Sequence, residues 1–418
     1  MPASFTTISN ILKELYTSAV IRQLNDEILL LQRLDSSSDE VITGKYAVVP
    51  VNVGRTGGIG DRPEFGTLPT TGNQRFLRAT YNLVYKYAQI GLSGPSIAAS
   101  SQDAGAFLRV LKSEVDGATM DLKKDCARQI YGDGTGSIVA VTSLTSGGGT
   151  ATVVVVVAQE VIDKGQLYVG MNVDIGTLAN PVLRNPASSY GTITSIALAT
   201  NSVTIASASG GVFGTPAATD FIFRQGNATA SSVSYEMSGL QGLVNTTAAQ
   251  TFGGINPATA GQEVWDASRA TSAAVSQDAL QQIWAKVRRL SGEEPTLLVG
   301  SYGFRRLYFN TLQSQVRYQT PTKLAGGFEA LDFNGLPLIA DHEAPYGKAY
   351  FLNEKHLKIY AINAQGGTDF AWMNLDGAVL SRVANQDAYQ AVLHRYMQLG
   401  TDKRDAHGVL SGFTDNGY

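Results

Sequence analysis

The stretch SQDAGAFLRVLKSEVDGATMDLKKDCARQIYGDGTG, Ser101 to Gly136, decides how the rest of the chain is read. Ala104, Leu108, Leu111, Val115, Ala118, Leu122 and Cys126 recur at steps of three and four. They therefore share one face of a helix of roughly seven turns, with Ser101 and Asp103 as candidate caps. Few globular domains need a helix that long. It predicts a spine with other parts at both ends, stopped by the glycines of Tyr131-Gly132-Asp133-Gly134-Thr135-Gly136. Cys126, the lone cysteine, reads as a small buried hydrophobe. Arg109, Lys112, Glu114, Asp121, Lys123, Lys124 and Asp125 lie off the stripe, as on a solvated or interfacial face.

Around this spine, 418 residues are too many for one ordinary core, so two or three domains are expected. Charged residues make up only 16% of the chain, which suits a surface covered by neighbours or a hydroxyl-rich β domain. A net charge of -3 argues against a protein that grips nucleic acid through a basic face. One cysteine permits no disulfide within the chain. Neither a signal-peptide pattern nor a bilayer-spanning apolar run stands out, so a reducing, soluble compartment and no membrane partner are expected.

Upstream of the spine, Ile8, Ile11, Leu12, Leu15 and Tyr16, then Val20, Leu24, Ile28 and Leu31, carry helical spacing towards a polar stop at Asp35-Ser38. Such a stripe must be buried on another domain or on a neighbouring subunit. From Gly44 the period becomes two, which predicts a strand to Gly54 and a return strand from Arg75 to Leu92. Between them Gly54 to Asn73 holds six glycines and two prolines. A loop of that length and composition is usually functional or mobile, so a long projecting hairpin is expected.

Downstream, residues 137 to 235 hold Val/Thr/Ile runs at Thr150–Val157, Val169–Ile175 and Thr192–Ile205. Short strands with no credible helix predict a small antiparallel barrel or sandwich inserted into the chain. Beyond Gly239, helices are expected over Ser276–Leu290 and from Tyr302 to about Gln313. Strands are expected at Thr296–Val299, Leu336–Ile339, Lys348–Leu352 and Leu357–Ala361, with long alternating strands from Ala371 to Leu399. A polar surface segment should follow Gly400.

Three features invite a chemical reading. Gly132-Asp133-Gly134-Thr135-Gly136 resembles a phosphate loop, but such loops follow a strand and open a helix, and these glycines close one. Asp341-His342-Glu343 offers metal donors, yet neighbours on an extended segment point to opposite faces, and His356, His394 and His407 show no ligand spacing. Glu293-Glu294 sits in a polar turn before Pro295. With no nucleophile elbow, Cys-His pairing or His-Glu-x-x-His helix, neither an enzyme nor a cofactor is expected.

The order of parts is itself distinctive: helical arm, glycine-tipped hairpin, spine helix, α/β region, terminal long strands. It resembles the major capsid proteins of tailed double-stranded DNA bacteriophages, the Hong Kong 97 fold. The strings Tyr131-Gly132-Asp133-Gly134-Thr135-Gly136, Ser238-Gly239-Leu240-Gln241-Gly242-Leu243 and Asp376-Gly377-Ala378-Val379-Leu380 resemble that family, as does Asp387-Ala388-Tyr389 through Gln398-Leu399. The resemblance covers most of the chain apart from residues 137 to 235.

It implies an α+β fold with an N-terminal arm over 1–43, an E-loop over 44–92 and a P-domain spine helix over 93–136. An inserted β domain over 137–235 follows, then an A-domain over 236–365, and P-domain terminal strands with a C-terminal tail over 366–418. It also implies self-assembly into pentamers and hexamers, forming an icosahedral head around phage DNA in the host cytoplasm. Portal, scaffolding and possible decoration proteins would be partners, and the DNA would be contacted weakly and without sequence preference. Inter-subunit contacts would fall on Ile11 and Leu15 of the arm and on Arg55, Arg62, Glu64 and Phe65 of the hairpin tip. Some members weld the shell through an E-loop lysine, but this tip has none, and Lys45 and Lys86 lie at the hairpin base. Some carry a cleavable scaffolding segment, whereas this arm starts almost at Met1, so a separate scaffolding protein is expected. Two other classes remain open: an encapsulin-type compartment shell and a β-rich surface adhesin.

Overall fold

The computed structural model describes residues 28–41, 46–95, 104–146, 149–178, 182–186, 189–227, 235–313, 322–323, 329–362, 368–374 and 379–417. The spine helix runs from Ala104 to Ile130, 27 residues, with side chains described from Glu114 onward. Its far end enters the main core through Cys126, Ala127 and Ile130, whereas Val115 and Ala118 are only half-buried. Along the described part of the stripe, from Val115 to Cys126, burial deepens towards the glycine stop. At that stop Gly134 and Gly136 take φ of 84° and 80°, which only glycine adopts freely.

The stop also receives the returning chain. Asp133 bridges to Ser238, and Gly239 N–H donates to the Gly132 carbonyl at 3.1 Å. A Cβ on Gly239 would lie 2.1 Å from the Ile130 carbonyl oxygen, so the close crossing requires glycine. Residues 137–224, between these adjoining points, close into a six-stranded antiparallel barrel. Its strands, in spatial order, are Phe221–Arg224, Ser137–Ser146, Thr152–Val157, Ser202–Ser207, Gly191–Ala197 and Asn172–Gly176. Val153, Val155, Val157, Val173, Ile175, Val203 and Ile205 alternate inward to fill it. One helix, Gln159–Asp163, interrupts the expected all-strand pattern, since five residues are too few to show a helical period in sequence.

A second sheet has seven strands, in the order Ser268–Thr271, Gly408–Ser411, Lys348–Leu352, Leu297–Gly300, Leu336–Ala340, Glu329–Phe333 and Thr322–Lys323. Alternation splits its side chains. Leu297, Val299, Ile339, Tyr350, Leu352 and Val409 face the main core, and Leu298, Leu338, Ala349, Phe351 and Leu410 face two helices, Gln277–Ser291 and Tyr302–Gln313. Ser276 caps the first helix through Ala279 N–H at 3.1 Å, and Gly292 ends it at φ 73°, as its sequence signals require. Strand Glu329–Phe333 is an addition to the expected set, although Asn334-Gly335, with φ of 53° and 80°, is the favoured two-residue hairpin turn.

A third sheet, of six strands, is built on Ala388–Thr401. One edge of that long strand takes Leu357–Ile362, Ala371–Trp372 and Ser381–Arg382 in turn, and the other takes Val84–Ser93 over ten pairs. Asp39–Val41 adds a parallel strand beside Leu357–Ile362.

Two expectations are corrected. The return strand of the hairpin is not continuous from Arg75 to Leu92: it breaks at Leu83. Arg75–Asn82 pairs with Tyr46–Gly54, while Val84–Ser93 joins the third sheet under the spine helix. One residue outside both ladders lets the strand change partner sheets. The segment after Gly400 is not a surface tail, because Thr401, Arg404, Ala406, His407 and Val409 are fully buried and Gly408–Ser411 lies inside the seven-stranded sheet.

Candidate functional site

The hairpin is built outward from a firm base. Ala47, Val49 and Val51 face Tyr81, Ala79 and Leu77 across the two strands, and this face rests on the main core. Tyr81 stacks on Tyr360 at 5.5 Å, meets Phe252 at 5.7 Å, and donates its hydroxyl to the Thr401 carbonyl at 2.6 Å. Thr80 N–H donates to Gly253 O at 2.8 Å. The loop carrying Phe252 and Gly253 is in turn held by Arg404, whose guanidinium donates to the carbonyls of Leu243 (2.8 Å), Gln250 (2.7 Å) and Trp265 (3.3 Å). Burial pulls that guanidinium down to about 10, still charged at neutral pH.

Beyond this base the chain from Arg55 to Gln74 overhangs. Its two arms touch where a Cβ on Gly72 would lie 2.4 Å from Gly57 N, which accounts for the glycines there. At the end, Gly66 N–H donates to Pro63 O at 2.8 Å, closing a turn whose third residue is Phe65. Phe65 has φ 62° and is 99% exposed. A bulky side chain in the left-handed region costs about 1–2 kcal/mol, and with its ring in solvent Phe65 gains no packing to offset that cost. Ile59 and Leu68, each 82% exposed, and Phe76, 64% exposed, add to an apolar tip.

The expected contact residues fall as follows. Arg55, Arg62, Glu64 and Phe65 share this exposed loop. Arg62 also braces the tip from within, its Nε donating to Thr67 O at 2.8 Å and its Nη1 to Asp61 O at 3.0 Å. Two arginines are balanced by Asp61 and Glu64, so the loop from Arg55 to Gln74 carries no net charge, and its exposed large apolar side chains are Ile59, Phe65 and Leu68. Ile11 and Leu15 lie outside the described residues.

The charges of the spine are not all on a solvated face. Asp125 pairs with Arg128 at 3.2 Å and with Arg224 of the barrel at 3.0 Å, and Arg128 reaches Glu236 at 2.8 Å. Burial alone would raise the Asp125 carboxyl, but Arg128, Arg224 and Lys86 outweigh it and hold it well below the usual range. Lys86, itself buried, donates to Gln129 Oε1, and burial lowers its pKa. This cluster joins barrel, spine and third sheet. In sequence its members lie too far apart to be associated.

The chemical readings find no support in the geometry. Asp133 Oδ1 accepts from Thr135 N–H at 2.9 Å, so the glycine stop is a self-satisfied turn. Asp341 spends its oxygens on Leu30 N–H at 3.1 Å and Glu343 N–H at 2.9 Å. Among the described residues no group of three or more His, Cys, Asp or Glu is arranged to hold a metal, and no helix is long and apolar enough to cross a membrane.

No protein-family model and no curated protein matches the chain. Solved structures do. A cyanophage A-1(L) capsid protein aligns over 97% of this chain and 98% of its own, with a TM-score of 0.57 and 14% identity. The capsid of a native GTA particle aligns over 98% and 99%, with a TM-score of 0.53 and 11% identity. The SrpI encapsulin of Synechococcus elongatus PCC 7942 aligns over 100% and 98%, with a TM-score of 0.51 and 10% identity. The neighbours span the whole chain, and phage capsid proteins are prominent among them: this chain has an α+β fold of the capsid-protein kind.

Proposed function

We propose that the chain is a major capsid protein that self-assembles into pentamers and hexamers, forming an icosahedral head around phage double-stranded DNA. The observation that carries this is the hairpin tip on a chain of capsid-protein fold. Ile59, Phe65 and Leu68 gain nothing by exposure within one subunit, and each would contribute about 1.5–3 kcal/mol once buried on a neighbour. A closed shell offers every subunit such a neighbour. In this reading residues 1–43 are the arm, 44–92 the E-loop, 93–136 and 366–418 the P-domain, 236–365 the A-domain and 137–235 an inserted domain. The contacts are Ile11 and Leu15 on the arm, and Arg55, Arg62, Glu64 and Phe65 on the tip. Scaffolding, portal and decoration proteins are the further partners, the assembled head is the location, and no catalytic step is assigned.

The likeness to an encapsulin supports a second reading, a protein compartment with the same wall and different contents. Electron microscopy of the purified protein tests both, since uniform closed shells are expected and a monomer at high concentration would overturn each. Nuclease-protected DNA inside particles recovered from the native source separates them: its presence marks a phage head, and its absence a compartment.

A further inference from the structure

Among the side chains that dock the barrel on the body, one has a protonation state that matters. On the barrel side Lys164, 3% exposed, donates to Glu160 Oε1, to Glu343 O at 3.2 Å and to Ala344 O at 2.8 Å. All three of its N–H groups are used. Glu160 also accepts from Tyr346 N–H at 3.1 Å, and the ammonium sits 5.0 Å from the Tyr346 ring centroid. Between these contacts lies Glu343, 2% exposed. Its Oε2 accepts from Gln166 of the barrel at 2.8 Å, and its Oε1 has no partner among the described residues. An ionised carboxylate so placed would hold its charge out of water on one neutral hydrogen bond, whereas a protonated one would not.

We propose that Glu343 is a proton-operated latch: the Gln159–Met171 side of the barrel stays docked on Asp341–Tyr346 while Glu343 is protonated, and lets go when it ionises. The charged and titratable groups around it are Lys164 and Glu160 on the barrel, Lys124 and Tyr131 on the spine and its stop, His342 and Asp341 on its own segment, and Lys348 on the adjoining strand. Burial dominates and raises the carboxyl, against Gln166, His342, Lys164 and Lys124. A raised pKa means the docked state binds the proton more tightly. Docking stability is therefore complete below the ordinary glutamate value and is lost as pH rises through the docked one. This inference does not rest on the shell reading.

Hydrogen exchange of the full chain, corrected for intrinsic rates, tests it across a pH series from mildly acidic to mildly alkaline. Protection of the Gln159–Met171 amides should fall by up to about tenfold per pH unit from the ordinary glutamate value up to the docked one and then level off, while Val153–Val157 inside the barrel should not change. In Glu343→Gln the slope should vanish. In Gln166→Leu, which removes the bond that favours the charged form, the slope should start at the same pH and level off at higher pH. A slope that survives Glu343→Gln, a levelling-off pH unmoved in Gln166→Leu, or a wild-type chain with no slope would each overturn the latch.

Discussion

The hairpin tip, residues 54–73, and the segment 401–413 look alike in sequence, both rich in polar residues and glycine, yet one is the most exposed part of the described chain and the other among its most buried. The difference lies in what each polar group meets. Arg404 finds four backbone carbonyls, those of Gly242, Leu243, Gln250 and Trp265. His407 accepts from Asn353 N–H at 3.3 Å and pairs with the Thr401 hydroxyl at 3.1 Å, and burial pulls it down to about 3, so it stays neutral. Lys403 donates to Ser291 O at 2.7 Å and Glu293 at 2.9 Å. The tip has Ile59, Phe65 and Leu68 in solvent, with Arg62 as its brace. Buried polarity marks the 401–413 segment and exposed apolarity the hairpin tip, so composition alone misassigns both.

The largest effect should come from removing the tip: deletion of residues 55–73 should abolish closed shells in micrographs while the thermal melt stays cooperative, and shells of normal size would break the comparison. Next, Arg404→Met should cost about 3–5 kcal/mol in chemical denaturation, because buried carbonyls lose their donor; a cost near zero would show that the segment is merely tolerated inside. Phe65→Gly exchanges about 1–2 kcal/mol of left-handed strain for up to about 1 kcal/mol of added unfolded-state entropy. Subunit stability should therefore change little while assembly yield falls, and an unchanged yield would mean the ring has no partner. The smallest effect concerns Glu293, which hydrogen bonds from Lys403 and His356 hold down to about 2. A depressed carboxyl stabilises the fold above the ordinary glutamate value and loses that advantage as pH falls towards the lowered one. Glu293→Gln should thus be slightly less stable at neutral pH, with the gap closing in acid, as denaturation at several pH values would read.

Legibility followed the range of the interaction. The helix Gln277–Ser291 was readable because Ser276, the apolar spacing and Gly292 are local signals, and the barrel because alternation over Thr152–Val157 and Ser202–Ser207 is local too. The break at Leu83 was not, since an uninterrupted β pattern carries no mark of which sheet each half will join. Arg62, Glu64 and Phe65 could be singled out from loop composition, but Arg62 as a brace and Phe65 as a strained, fully exposed ring needed coordinates.

The sequence by itself determined the spine, its glycine stop, the alternating strands and the resemblance in order of parts, because periodicity and turn chemistry act over a few residues. Only the tertiary structure decided that Gly239 crosses the spine at Ile130 to close off the barrel, that Arg404 underpins the hairpin, and that Glu343 sits half-satisfied beneath the barrel. Each of these joins residues about a hundred or more positions apart, and such pairs are selected by packing and by the need to satisfy every buried polar group, which no local pattern encodes.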